Sequence, residues 1–427
     1  MILTLLLGTL AVCLVIGVPI FMALGIATVV ALTVSDVPML ILGQTLYQGV
    51  DKFPLLAIPC FILAGSLMER GGVTRQIIAV ISQFTGRVRG GLGIATILAC
   101  MFFSAISGSG PGTVAAVGSV MIPAMLRAGH GRDYAGAVSS SGGTLGILIP
   151  PSNPMIIYGV IAQTSIVGLF MAGIVPGMII GVAHCLVAYL VARHVGYEAT
   201  GERFNFREFA CACWQGKFSL AAPFLILGGI YAGVFTPVEA SVIAVFYGLF
   251  VGGVINRMLD FKAIFDSLIE AARISTAMII VATSTVFGQI LTVNQAPHRL
   301  AELLATVSTD PFTVLLIIIL AFFILGMFME TLSTIIIVTP VLLPVVVQLG
   351  IDPIHFGILF VVTNEVAFLT PPLGANLFVA SQLAKVSLER LSLHVLPHIA
   401  AIVVCILVLA YFPKISLWLP HFLGYGL

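Results

Sequence analysis

The sequence is short of charge. Only 8% of its 427 residues are Asp, Glu, Lys or Arg, against about 25% in a soluble domain. That shortage excludes an ordinary water-soluble globule. A hydrophobic share of 60% and a mean hydropathy of +1.18 call for an integral membrane protein. No basic tract occurs and the formal net charge is +1, so nothing points to nucleic acid. HExxH and CxxC are both missing, which leaves zinc-hydrolase and dithiol chemistry without a motif. The seven cysteines are scattered and read as packing residues. His394 and His398 read as a satisfied or interfacial pair rather than a metal site. No Lys or Arg precedes the first apolar stretch, MILTLLLGTLAVCLVIG, which reads as a retained span and not a cleaved signal. Long alternating strands are absent too, so the spans are helices and not a barrel.

What is there is a succession of apolar runs. About 20 apolar residues make one crossing, which leaves room for roughly ten to twelve helices. Residues 1–34 form one bent helix or two short ones. They belong with residues 35–52 as N-terminal scaffold. Residues 53–165 and 274–390 read as repeats 1 and 2 of a transport region, each interrupted by breaks. Residues 166–256 read as further scaffold helices, 257–273 as an amphipathic helix lying at the interface, and 391–427 as a C-terminal helix.

The interruptions carry the information. SGSGPG at 107–112 divides the run 91–126, and LGILIPPSNPM at 145–155 divides 134–163. METLST at 329–334 divides 312–348, and FLTPPLGANLF at 368–378 divides 355–384. Proline removes a backbone donor and clashes with the preceding turn. In lipid, each unpaired backbone group costs several kcal/mol, so a break is tolerated only inside protein or around a cavity.

Charge gives the orientation. Arg70, Arg75, Arg87 and Arg89 precede the first run, and Arg127 and Arg132 follow it. Both flanks belong in the cytoplasm, so 91–126 is a re-entrant hairpin from that side. The run 312–348 is flanked by Arg299 with Glu302, Asp310 and Asp352, which places its flanks outside. Lys385 and Arg390 fall inside, as does the polar segment 193–217 with Arg193, Arg203, Arg207 and Lys217. Two hairpins of opposite orientation suggest an inverted repeat. A shift of 221 residues brings Pro123 onto Pro344, Pro150 onto Pro371 and Pro151 onto Pro372. The same shift matches Phe102, Thr113, Val120, Gly129 and Gly136 with Phe323, Thr334, Val341, Gly350 and Gly357. The fold class is therefore an all-α polytopic membrane protein, an inverted-repeat transporter with two re-entrant hairpins and two broken helices. Half-helix starts offer amides to an anion, and unwound carbonyls offer ligands to sodium.

Ser107, Ser109 and Thr113 stand at or beside the first tip and read either as ion or substrate contacts or as small-residue packing. Glu330 and Glu365 are acids at membrane depth, where such residues are functional candidates. Asn364 and Asn376 lie nearby. These four residues either hold the second hairpin against its broken helix or bind a cation or proton, or the acids are neutral and hydrogen-bonded to backbone; Glu365 and Asn364 are read as support.

AIPCFILAGSLMERGG (57–72), SAISGSGPGTVAAVGSVMIPAM (104–125), SGGTLGILIPPSNPMIIYG (141–159) and TNEVAFLTPPLGANLF (363–378) resemble the large membrane subunit of TRAP (tripartite ATP-independent periplasmic) transporters. The resemblance covers essentially the whole chain. It implies a sodium-coupled importer of an organic acid, of the sialic acid or C4-dicarboxylate class, in the bacterial inner membrane. It implies an elevator mechanism, a small four-helix membrane subunit and a periplasmic substrate-binding protein. Sodium is the only cofactor-like species implied. On matched motifs, one sodium site falls at Ser107, Ser109, Gly146, Ile149 and Pro151. The shift of 221 puts a second near Glu330, Ala367, Thr370 and Pro372. Substrate contacts are expected from Thr113, Ser152, Asn153 and Asn376. A stand-alone sodium/carboxylate symporter of similar plan is the alternative. An intramembrane serine protease on Ser107 or Ser109 has no His or Lys base placed beside either serine and leaves the repeat unexplained. A channel would be separated by counterflow.

Overall fold

A computed structural model describes residues 1–35, 38–86, 88–199, 205–308 and 310–425. Arg87 and Arg203, used above for orientation, lie outside the described residues. Every regular element among them is helical.

The N-terminal 34 residues form two helices, α1 (Ile2–Val15) and α2 (Ile20–Thr33), joined at Gly17 in the left-handed region. Next come α3 (Leu40–Val50), α4 (Ala57–Arg70) and α5 (Val73–Thr85). The first hairpin is α6 (Gly91–Ser107) and α7 (Gly110–Arg127). Its broken partner is α8 (Arg132–Gly143), one 3₁₀ turn (Thr144–Ile147) and α9 (Asn153–Ile161). The long α10 (Ile166–Val195) is followed by α11 (Phe206–Gln215), α12 (Lys217–Tyr231) and α13 (Pro237–Leu249). After a π turn come α14 (Phe261–Ser275), α15 (Ile279–Val293) and α16 (Ala296–Val307). The second hairpin is α17 (Pro311–Phe328) and α18 (Thr331–Gln348), and its broken partner is α19 (Pro353–Ala367) and α20 (Ala375–Ala384). The chain closes with α21 (Leu388–Tyr411) and α22 (Lys414–Phe422).

Among the described residues, seven helices are long and apolar enough to cross a membrane, or eight if the bent pair α11–α12 is one span. The expectation of roughly ten to twelve crossings exceeds this. The apolar runs are cut by their breaks into pieces such as α6, α19 and α20, each too short to cross alone. The chain is a multi-pass membrane protein.

The shift of 221 reappears in the helix boundaries. Moved by 221, α6 covers 312–328 and α7 covers 331–348, the bodies of α17 and α18. The peptides Pro150–Pro151 and Pro371–Pro372 are both cis, and Gly129 and Gly350 both have positive φ. The two halves are not identical, since α6 and α7 pack closely whereas α17 and α18 touch little. α17 leans instead on α19.

Packing sorts the helices. α1 and α2 share a small core with Phe287, Ile290 and Leu291 of α15. α4 packs along α13 and α14. The segment expected at the interface, 257–273, is mostly α14, which lies along α4 and runs on through one 3₁₀ turn into α15. α10 and α21, assigned from the linear sequence to scaffold and terminus, pack against the repeats. Tyr134 Oη donates to Ala188 O at 3.0 Å, and Arg390 pairs with Asp133 at 2.7 Å. His398 is buried against His184 of α10, Nδ1 to Nδ1 3.0 Å, while His394 is exposed. The two face different surroundings and form no pair.

Candidate functional site

The first tip is built by a helix stop and a helix start. Gly108 takes φ +61, which ends α6. Ser109 is extended and caps α7, its Oγ accepting from Gly112 N at 3.3 Å. Ser107 Oγ reaches Ser109 O at 3.4 Å, and Thr113 Oγ1 donates to the same carbonyl at 2.8 Å.

The broken helix meets this tip directly. A β-carbon on Gly146 would lie 2.5 Å from Ser109 O and 2.8 Å from Thr113 Oγ1. One on Gly108 would lie 2.9 Å from Pro151 O. The structure thus brings Ser107, Ser109, Gly146 and Pro151 together. Ile149 sends its side chain the other way, onto Gly177 of α10.

At the second tip, Leu373 N donates to Met327 O at 3.1 Å, joining break to hairpin. A β-carbon on Gly326 would lie 2.6 Å from Cβ of Ala367 and 3.0 Å from Asn364 Oδ1. Thr370 Oγ1 turns back to Val366 O at 2.9 Å. Glu330 stands at the N-cap of α18 without capping it by its side chain, and Pro372 is the cis proline. Gly326, Met327 and Leu373 were missed in the sequence. METLST lacks the Ser/Gly signature, so nothing in the local sequence marks them.

Both tips line one cavity of about 720 Å³. Its wall includes Gly110, Asn153, Thr331 and Ala375, which are the first residues of α7, α9, α18 and α20. Four helix starts therefore converge on one space. A helix start presents unpaired N–H groups and the positive end of the dipole, a ready anion site. The starts of α7 and α9 are capped by Ser109 and Ser152, whereas α18 and α20 have no side-chain cap. The freest amides are thus on the second repeat.

Among the expected substrate contacts, only Asn153 lines the cavity. Ser152 is fully buried as the cap of α9, and Thr113 is spent on Ser109 O. Asn376 is fully buried between α7 and α8. β-Carbons on Gly110 and Gly143 would lie 3.0 and 3.2 Å from its amide. It packs the start of α20 against α7 and α8. Glu365 is buried with both carboxyl oxygens unpartnered, and the Asn376 side chain lies beside it.

The family model described as "Tripartite ATP-independent periplasmic transporter, DctM component" matches residues 7–415. The chain belongs to the DctM family. That family is one of transporter subunits, not enzymes.

DctM relatives cover 90% or more of the chain. It is 39% identical to a C4-dicarboxylate TRAP transporter large permease of Pseudomonas aeruginosa, over 90% of each chain. It is 36% identical to a sialic acid TRAP transporter large permease of Vibrio cholerae, again over 90% of each. It is 43% identical to the isethionate TRAP transporter permease DctMQ of Oleidesulfovibrio alaskensis, over 96% of this chain but 65% of that one. The chain thus spans about two thirds of that relative's length. Among solved structures, the YdaH transporter of Alcanivorax borkumensis superposes with a TM-score of 0.65 at 15% identity. It covers 90% of this chain and 89% of that one. MtrF of Neisseria gonorrhoeae gives 0.56 at 14%, covering 87% and 83%. At such identities the likeness concerns the DctM fold alone.

Proposed function

We propose that the chain is the large membrane subunit of a sodium-coupled tripartite transporter importing an organic anion across a bacterial inner membrane. The observation that carries this reading is the convergence of four helix starts, two from each repeat, on one cavity. Amides at those starts hold the anion. Carbonyls and hydroxyls of Ser107, Ser109, Gly146 and Pro151 hold one sodium, and the Glu330, Ala367 and Thr370 region holds another. Sodium at Glu330 neutralises its carboxylate beside the uncapped start of α18, so the cation binds before the anion. The relatives named for sialic acid, C4-dicarboxylate and isethionate support an organic acid as cargo. The name DctMQ, on a longer chain, supports a small membrane subunit as partner, and a periplasmic protein delivers the acid.

Coupling to sodium has the right energetics. One charge crossing 100 mV exchanges about 2.3 kcal/mol, so an entering anion works against the membrane potential and two or more sodium ions overcome it. The two hairpins and their broken helices then move as an elevator past α13, α14 and α4, the last grouped with the static part rather than the first repeat because it packs along α13 and α14.

Reconstitution tests the reading. Uptake into proteoliposomes requires sodium, the small subunit and the binding protein. Full-rate uptake by this chain alone identifies a stand-alone symporter and overturns the tripartite assignment.

A further inference from the structure

The cavity is lopsided in charge. Among the described residues its wall carries three carboxyl groups, from Glu69, Glu270 and Glu330, and no Lys, Arg or His. Arg70, next to Glu69 in the chain, is engaged, lying 3.3 Å from Glu270 and 3.8 Å from Asp266. Glu69 and Glu270 stand on α4 and α14, whereas the helix starts belong to the repeats.

Two polar side chains on the same wall each have an unpartnered oxygen. Asn153 is 6% exposed with its Oδ1 unsatisfied, and Thr331 is 2% exposed with its Oγ1 unsatisfied. A buried acceptor without a donor is costly and calls for a ligand that supplies one. The cavity thus offers donors at the helix starts and acceptors at Asn153, Glu69 and Glu270.

We infer that the transported acid bears one negative charge and that its remainder carries hydrogen-bond donors, hydroxyl or ammonium groups. This rests on the function proposed above and narrows its substrate class. One acidic group satisfies the free amides of α18 and α20. A second carboxylate on the same molecule would meet Glu69 and Glu270, with Arg70 already engaged and no Lys, Arg or His on the described wall to pair with, and like charges brought together away from water repel strongly. Hydroxyl or ammonium groups would instead donate to Asn153 Oδ1 and to the two carboxyls.

The test uses the purified complex with its small subunit, in detergent, without the binding protein, so that the membrane site alone selects. Thermal stabilisation is titrated first with sodium, then in saturating sodium with glycerate, gluconate, taurine, succinate and fumarate. A donor-bearing acid should stabilise at concentrations at least about tenfold below either dicarboxylate. Glu69→Gln with Glu270→Gln should shrink that ratio severalfold while leaving stabilisation by sodium unchanged, which shows that the variant is folded. Succinate or fumarate stabilising as well as the donor-bearing acids overturns the inference, and so does stabilisation by none of those acids. If sodium itself fails to stabilise the complex, the sodium-coupled reading falls, and this inference with it.

Discussion

The carbonyl oxygen of Ser109 stands 2.5 Å from the place a β-carbon on Gly146 would occupy. A hairpin tip and a helix break far apart in sequence are in backbone contact, and no side chain fits between them. Gly146→Ala should push the tip away, cost roughly 1–3 kcal/mol of stability, and remove sodium-dependent uptake. Thermal unfolding and uptake of the same preparation check it. Normal uptake by the variant would separate this contact from transport.

Ser109 does two jobs, as cap of α7 and as proposed sodium ligand. Ser109→Ala should cost about 1 kcal/mol for the lost cap and raise the sodium concentration needed for half-maximal uptake. Ser152→Ala loses a cap without a proposed ligand. It should destabilise by a similar amount and leave sodium dependence in place. Equal sodium responses in the two variants would remove Ser109 from the sodium site.

Glu330 sits at an uncapped helix start in the cavity wall. Glu330→Gln removes the charge and keeps the shape. Sodium affinity should fall, and stabilisation by the organic anion should become less dependent on sodium. Calorimetric sodium titration decides it, and unchanged affinity would remove Glu330 from the second site.

Gly65 of α4 faces the first hairpin tip, which the proposed elevator would carry past it. A β-carbon there would lie 3.2 Å from Cα of Ser107. Gly65→Leu should obstruct the first tip and slow uptake on the order of tenfold or more, as a blocked conformational step does. Sodium binding to the purified protein should survive. Loss of both would make Gly65 a folding residue only.

His130, in the loop between α7 and α8, is buried against Tyr134 and Tyr197. Burial lowers its pKa below the ordinary 6.5, opposed by its hydrogen bond to Met125 O. The folded state therefore binds fewer protons than the unfolded state as pH falls below 6.5. The contribution of His130 is intact above 6.5 and is lost as pH drops through the folded pKa. Thermal stability followed from pH 7.5 downward should fall below 6.5, and His130→Asn should flatten that slope.

The sequence revealed the hairpins and breaks because Pro and Gly act locally. A Pro-Pro in an apolar run stops a helix whatever surrounds it, so a shift of 221 could align 150–151 with 371–372 before any contact was known. The first tip was legible for the same reason, since SGSGPG contains its own stop, cap and start. The roles of Thr113, Ser152 and Asn376 were not legible. Each lies at a break, but whether its side chain faces the cavity depends on helix rotation and on packing between repeats. Gly326 and Leu373 escaped because their partners, Ala367 and Met327, lie dozens of residues away. The grouping of α10 and α21 with the repeats is likewise a matter of long-range contacts, and linear order assigned them elsewhere.

The most direct measurement of the account is the reversal of uptake in proteoliposomes holding the complete transporter, with sodium gradient and membrane potential set independently. The account predicts that anion flux reverses where two or more sodium ions per anion balance the gradients, and that Ser109→Ala and Glu330→Gln weaken the coupling. Concentrative uptake that persists with no sodium gradient, at zero potential, would contradict it.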